Sequence, residues 1–140
     1  MRDGLLQAIR EQASEALSSV ADVRGGDTIY SIDAHADEIL HAFCMEWAKE
    51  IGPLALIAEG IEGAGWHVFP EGAKEEDASF LMMVDPIDGT RNIMYDKRSA
   101  WILTGIAPNK GRETTLADIE AAVMTELPTS KMGSADVLWT

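Results

Sequence analysis

The stretch that decides the fold reads Val84-Asp85-Pro86-Ile87-Asp88-Gly89-Thr90-Arg91-Asn92, and it continues the apolar run at residues 80–84. Pro86 has no backbone N–H and fixes its own φ, and it favours an extended conformation for Asp85. We therefore expect the strand to stop at Asp85 and the chain to turn. The turn brings the carboxylates of Asp85 and Asp88 to one point, which the N–H groups of Gly89 and Thr90 also face. Hard oxygen ligands beside backbone amides suit Mg²⁺ and a phosphate group.

The composition indicates one folded domain with an acidic surface. The chain has 140 residues, 46% of them hydrophobic, which is enough for a core. Its net charge of -13 argues against binding a nucleic-acid polymer or an anionic membrane. No apolar run reaches the roughly 20 residues of a membrane span, and no signal-peptide pattern is present. The single cysteine, Cys44, is expected to be a small buried hydrophobe. These features favour a cytoplasmic protein.

Hydrophobic periodicity predicts two helices followed by six strands. Helical spacing marks residues 5–20 and 33–50 as amphipathic helices. The buried side of the second helix is expected to carry Ile39, Leu40, Phe43, Trp47 and Ile51. Short apolar runs predict strands at residues 54–58, 66–69, 80–84, 100–107, 119–126 and 135–139. This order indicates an α+β layered domain. The apolar last strand would leave an unpaired edge, so we expect residues 1–140 to be the N-terminal part of a longer protein.

Further oxygen ligands can be placed beside Asp85 and Asp88. Glu59 ends the strand at residues 54–58, and it projects next to Asp85 if the strands at 54–58 and 80–84 are neighbours in the sheet. Glu59, Asp85, Asp88 and the Ile87 carbonyl would then supply ligands for a divalent cation. Asp33 begins the second helix, where aspartate is also a good N-cap.

Simpler interpretations exist for each of these residues. Asp85 and Asp88 could serve only to form a turn, and Glu59 could be a solvent-facing strand end. Asp33 and Thr90 could be plain helix caps. The histidines are scattered along the sequence and are interpreted as surface or loop residues rather than ligands: His35, His41 and His67.

The chain resembles the N-terminal part of the inositol monophosphatase family in four motifs, which follow one another in the same order as in the family. This family belongs to the Mg²⁺-dependent, lithium-sensitive phosphatases. The run DPIDGTRN matches the family pattern D-P-I-D-G-T-x-N. Residues 29–37 fall where the family has V-T-x-x-D, residues 56–60 where it has G-E-E, and residues 100–106 where its next strand lies. The resemblance implies the N-terminal half of a layered sugar-phosphatase fold, with two helices packed on a largely antiparallel sheet.

The resemblance also implies roles for individual residues. Glu59, Asp85 and the Ile87 carbonyl are similar to the first metal site, and Asp85 and Asp88 to two of the three ligands of the second. Glu59 would contact a weaker third ion as well. The catalytic set is then Asp33, Thr90 and Glu59, in which Thr90 paired with Asp33 orients the attacking water. The amides of Gly89 and Thr90 would receive the substrate phosphate.

The implied activity is hydrolysis of a small phosphate monoester, an inositol monophosphate or a sugar phosphate, by metal-activated water. The resemblance implies two or three Mg²⁺ ions, for which Mn²⁺ or Ca²⁺ can substitute in binding. It also implies a homo-oligomer such as a dimer. A 3′-phosphonucleotide phosphatase and a non-catalytic metal-binding or assembly module are the alternatives. Gly60 replaces the second glutamate of G-E-E, and the W-D-x-A motif with the last metal-ligand aspartate is absent. We therefore expect weak or no activity from the 140-residue chain alone.

Overall fold

The structure, a computed structural model, describes residues 1–11, 20–24, 27–58 and 66–140. In these ranges the α-helices are α1 at Arg2–Glu11, α2 at Ser31–Ile51 and the short α3 at Thr90–Met94. The strands described are β1 Val20–Arg24, β2 Asp27–Tyr30, β3 Leu54–Ala58, β4 His67–Phe69, β5 Phe80–Asp88, β6 Ala100–Pro108, β7 Ala121–Leu127 and β8 Val137–Trp139. No helix among the described residues is long and apolar enough to cross a membrane.

Strands β3 to β8 form one sheet in the order β4-β3-β5-β6-β7-β8. The β3–β5 pair is parallel, and every other neighbouring pair of this sheet is antiparallel. Helices α1 and α2 contact each other, and both contact strands of the sheet. The predicted α+β class, with two helices on a largely antiparallel sheet, is confirmed.

Only part of the predicted first helix, residues 5–20, falls on described residues. Helix α1 ends at Glu11, residues 12–19 lie outside the described part of the chain, and Val20 already belongs to β1. Strands β1 and β2 form an antiparallel hairpin in which Arg24 pairs with Asp27. Residues 25 and 26, which join the two strands, lie outside the described part of the chain. Sequence reasoning missed this hairpin.

Helix α2 buries only part of the predicted stripe, and its fully buried side chains lie mostly beside that stripe. Its buried side chains repeat every four residues: Ile32, Ala36, Leu40, Cys44 and Ala48. Of the predicted stripe only Leu40 is fully buried, whereas Phe43 is 45% and Ile51 42% exposed. Ile39 and Trp47 of the predicted stripe are partly buried and pack against the same core. The expected burial of Cys44 is confirmed.

The two faces of the sheet differ in how well they are covered. The face under α1 and α2 carries the main core, which includes Leu54, Leu56, Met82, Val84 and Ile102. The opposite face leaves apolar side chains in solvent: Met83 at 37%, Met124 at 40% and Leu138 at 53% exposure. The register joins Asp85 to Leu103, Leu103 to Met124 and Met124 to Leu138 in one row across four strands. Asp85 therefore stands at one end of an apolar row on the open face.

Candidate functional site

A bulge in β5 decides how the two aspartates of the site are placed. The prediction that the strand stops at Asp85 is wrong, because β5 continues through Pro86 to Asp88. Asp85 pairs with Leu103 and Asp88 with Trp101, so three steps along β5 match two along β6. A bulge tolerates the missing N–H of Pro86, since the extra residue makes no ladder bond.

The bulge puts both carboxylates on one face of the sheet. In a regular strand, residues three apart point to opposite faces. Leu103 and Trp101 are two apart on β6 and share a face, and residues paired directly across strands share that face too. Asp85 and Asp88 therefore lie on the same side, as the sequence expected, although they do so within the strand rather than after it.

The hydroxyl of Thr90 connects α2 to this strand end. Thr90 Oγ1 lies 3.0 Å from Asp33 Oδ1 and 2.9 Å from the carbonyl oxygen of Ile87. The hydroxyl has one proton, so it can donate fully to only one of these acceptors at a time. The structure thus brings together Asp33 and Thr90, the pair inferred from the sequence.

Neither Asp33 nor Thr90 is the simple helix cap considered as the alternative. Helix α2 begins at Ser31, so Asp33 lies inside its first turn. Gly89 is the N-cap of α3, and Thr90 is the first helical residue. Gly89 has φ +95°, a left-handed conformation that glycine adopts without strain. This sharp turn lets α3 begin immediately after β5.

Negative charge is crowded around Asp85. Burial raises the pKa of Asp85, and the charges of Asp88 and Asp33 raise it further. The backbone N–H of Ile87, which donates to Asp85 Oδ1 at 3.1 Å, acts in the opposite direction. Asp88 and Asp33 therefore lie close enough to Asp85 to disfavour its charge, and a bound cation would relieve that repulsion.

Glu59 lies outside the described residues, so its predicted roles as metal ligand and catalytic residue stay predictions. Glu59 was expected to project next to Asp85 if the strands before them are neighbours in the sheet. Those strands, β3 and β5, are neighbours, and their parallel register runs as far as Ala58 opposite Val84. Among the residues that are described, no group of three or more His, Cys, Asp and Glu side chains is arranged to hold one ion. The predicted metal site is thus represented here by Asp85, Asp88 and the Ile87 carbonyl.

A cleft of about 590 Å³ lies over the open face of the sheet next to Asp85. Its walls are almost entirely apolar, with Ile57, Met83, Leu103 and Met124 among the lining side chains. Asp85 is the charged residue of this lining, so the cleft joins the carboxylate site to the exposed apolar row. Sequence reasoning did not foresee this cleft, because it depends on which strands are neighbours.

Comparison with known proteins gives a fold but no close relative. No model of a known protein family and no curated protein matches the chain. Many solved structures do match, among them fructose-1,6-bisphosphatase of Leishmania major in its holo form, with 16% identity and a TM-score of 0.73 over 99% of this chain. A putative sedoheptulose-1,7-bisphosphatase from Toxoplasma gondii matches with 16% identity and a TM-score of 0.65, also over 99% of the chain.

The extragenic suppressor protein suhB from Bartonella henselae is a further similar structure, with 18% identity and a TM-score of 0.58 over 99% of this chain. The chain spans 44%, 42% and 47% of the lengths of these three proteins, less than half of each. At such low identity the likeness establishes the fold alone. The chain has the fold of the N-terminal part of these proteins.

Proposed function

We propose that this chain carries the metal- and phosphate-binding part of a Mg²⁺-dependent phosphatase that hydrolyses a small phosphate monoester. The observation that carries the proposal is the β5 bulge, which sets Asp85 and Asp88 on one face beside the Thr90–Asp33 hydrogen bond. Two of the similar structures are sugar bisphosphatases, one of them putative, which supports a sugar phosphate as the substrate. An inositol monophosphate is the alternative substrate that the sequence resemblance implies.

The donor set fits a hard divalent cation. Asp85, Asp88 and the Ile87 carbonyl are oxygen ligands of the kind that Mg²⁺ prefers, and the mutual repulsion of the carboxylates favours a cation among them. These residues would hold the ion, with Glu59 as a further ligand from the end of β3. When bound, Mg²⁺ supplies Lewis acidity, which lowers the pKa of a water and neutralises phosphate charge.

Thr90 and Asp33 would handle the proton of the attacking water. Because Thr90 Oγ1 donates toward Asp33 Oδ1, its lone pairs can accept a hydrogen bond from a water. A proton received by Oγ1 can be passed on as the hydroxyl proton moves to Asp33. Proton transfer of this type contributes roughly 10²- to 10⁴-fold to a rate. The first-turn N–H groups of a helix lack partners within the helix, which is consistent with the phosphate role proposed for Gly89 and Thr90.

Two measurements on the 140-residue chain test the proposal. Calorimetric titration should show Mg²⁺ binding that Asp85→Asn abolishes and Thr90→Ser retains. Phosphate release from inositol 1-phosphate and fructose 1,6-bisphosphate should be weak, because the W-D-x-A aspartate is absent from the sequence. It should fall about 10²-fold or more in Thr90→Val and be largely retained in Thr90→Ser.

The possible outcomes separate two questions. Absence of both Mg²⁺ binding and hydrolysis would overturn the proposed function. Robust turnover by the 140-residue chain would support the function and contradict only the expectation of weak activity.

A non-catalytic metal-binding or assembly module is the second candidate, and the open sheet face favours it. Met83, Met124 and Leu138 stay exposed on the same face of the sheet as Asp85, and an apolar patch of this kind is typical of an interaction surface. Such a module would bind Mg²⁺ through Asp85 and release no phosphate in any assembly. Hydrolysis that depends on Thr90 would exclude it.

A further inference from the structure

Tertiary folding brings two histidines together that are far apart in the sequence. His41 lies on α2 and His67 on β4, and their ring centroids are 5.1 Å apart with planes tilted by 46°. The buried Phe69 ring lies 5.3 Å from the ring of His41 and 4.8 Å from that of His67. Phe69 therefore supports both imidazoles from the core side of the α2–β4 contact.

The ring nitrogens of this pair are accessible. Both histidines are half-buried. In the described part of the chain, no hydrogen bond joins either ring to another group, and no buried side-chain nitrogen or oxygen is without a partner. Any ring nitrogen that lacks a partner must then be open to solvent, where a ligand can reach it.

The separation of the rings matches that of two imidazoles bound to one ion. With a metal–nitrogen bond of about 2.05 Å, each ring centroid lies about 3.2 Å from the ion, and a tetrahedral angle places two centroids about 5.2 Å apart. The observed separation is 5.1 Å. The centroid separation is thus compatible with one ion shared by the two rings.

We propose that His41 and His67 form a two-imidazole site for a divalent transition-metal ion, with Zn²⁺ as the reference ligand and Ni²⁺ and Cu²⁺ as related ones. Imidazole nitrogen suits these metals, whereas Mg²⁺ prefers oxygen, so the site is chemically distinct from the carboxylate centre at Asp85. No third His, Cys, Asp or Glu side chain among the described residues completes a ligand set with the pair. Water fills the remaining coordination positions.

A metal at this site would fasten the edge of the sheet to α2. Strand β4 has only three residues and pairs with β3 alone among the described strands. An ion held by one ligand from β4 and one from α2 adds a link between them that exists only in the folded chain. Binding to the folded state alone raises the apparent stability by mass action.

Calorimetric titration of the EDTA-treated chain with ZnCl₂, in the presence of saturating Mg²⁺, tests the site. We expect one Zn²⁺ per chain and a loss of affinity of more than about tenfold in both His41→Gln and His67→Gln, since even the loss of an outer partner costs 10- to 100-fold. His35→Gln is the matched control, because His35 lies beside Glu38 at 3.6 Å, away from the pair. Its Zn²⁺ affinity should equal that of the wild-type chain.

Imidazole NMR spectra of the wild-type chain give a second test that needs no variant. Zn²⁺ should shift the ring resonances of His41 and His67 together and leave those of His35 in place. Unchanged affinity in both glutamine variants, equal loss in His35→Gln, or equal shifts of all three histidines would each overturn the proposal. None of these outcomes depends on phosphatase activity.

Discussion

Removing the hydroxyl of Thr90 tests the contact that connects α2 to the end of β5. Thr90→Val keeps the shape of the side chain but removes the donor to Asp33 Oδ1 at 3.0 Å and to the Ile87 carbonyl at 2.9 Å. A hydrogen bond to a charged group contributes about 1.5 to 3 kcal/mol, and a neutral one about 0.5 to 1.5 kcal/mol. Because the contact is only partly buried, we expect the free energy of unfolding to fall by about 1 to 2 kcal/mol.

Thr90→Ser is the matched control. It keeps the hydroxyl and loses one half-buried methyl group, which is worth less than about 0.8 kcal/mol. Urea unfolding followed by circular dichroism, without added metal, measures both variants, and an unchanged slope shows that the transitions are comparable. If Thr90→Val is no less stable than Thr90→Ser, the hydroxyl does not hold the two elements together.

A double-mutant cycle assigns the energy to the pair itself. Asp33→Ala also removes a favourable charge from the first turn of α2, worth about 0.3 to 1 kcal/mol, and the cycle cancels that contribution. We expect the Thr90→Val and Asp33→Ala effects to differ from additivity by at least about 0.5 kcal/mol, as contacting residues do. Additive effects would refute a direct interaction between the two side chains.

Three further expectations concern separate parts of the molecule. Gly89→Ala should lower the free energy of unfolding by about 1 to 2 kcal/mol through left-handed strain, because the added Cβ would make only ordinary contacts at 3.6 Å and beyond and so adds no clash. Gly133→Ala is the control: a Cβ there meets nothing within 4 Å, so the free energy of unfolding should change by less than about 0.5 kcal/mol. Equal effects of the two substitutions in urea unfolding would argue against strain at Gly89. Burial raises the pKa of the Cys44 thiol to about 12, so a thiol reagent at pH 8 should label it only after denaturation; rapid labelling of the native chain would contradict the burial. Hydrogen bonds from Lys110 and then from the N–H and hydroxyl of Thr115 lower the pKa of Asp118 to about 2. The ionised carboxylate therefore stabilises the native state fully above its ordinary pKa, and this contribution is lost as the pH falls through about 2. A carboxylate NMR titration should show the low midpoint and a higher one in Lys110→Ala, whereas an unchanged midpoint would rule out Lys110 as the cause.

The local elements were largely predictable because their signals are local. The apolar run at Leu54–Ala58 lies between Gly-Pro and a polar segment, and it forms β3 with the predicted bounds. The other strands of the six-stranded sheet were found to within a few residues, although β5 ends later than predicted, whereas the β1–β2 hairpin was missed. The fully buried side chains of α2 could not be read in this way, because apolar residues cover two adjacent stripes of the helix and the packing against the sheet decides which are fully buried.

The sequence by itself determined the chemistry of the candidate site, since Asp85, Asp88, Gly89 and Thr90 lie within six residues and their types already favour a cation and a phosphate. Only the tertiary structure decided how these groups meet. The register of β5 against β6 turns an odd spacing into a shared face, the packing of α2 brings Asp33 within 3.0 Å of Thr90, and the α2–β4 contact joins His41 to His67. Each of these contacts joins segments distant in sequence, and a local pattern cannot specify them because they depend on which strands and helices become neighbours.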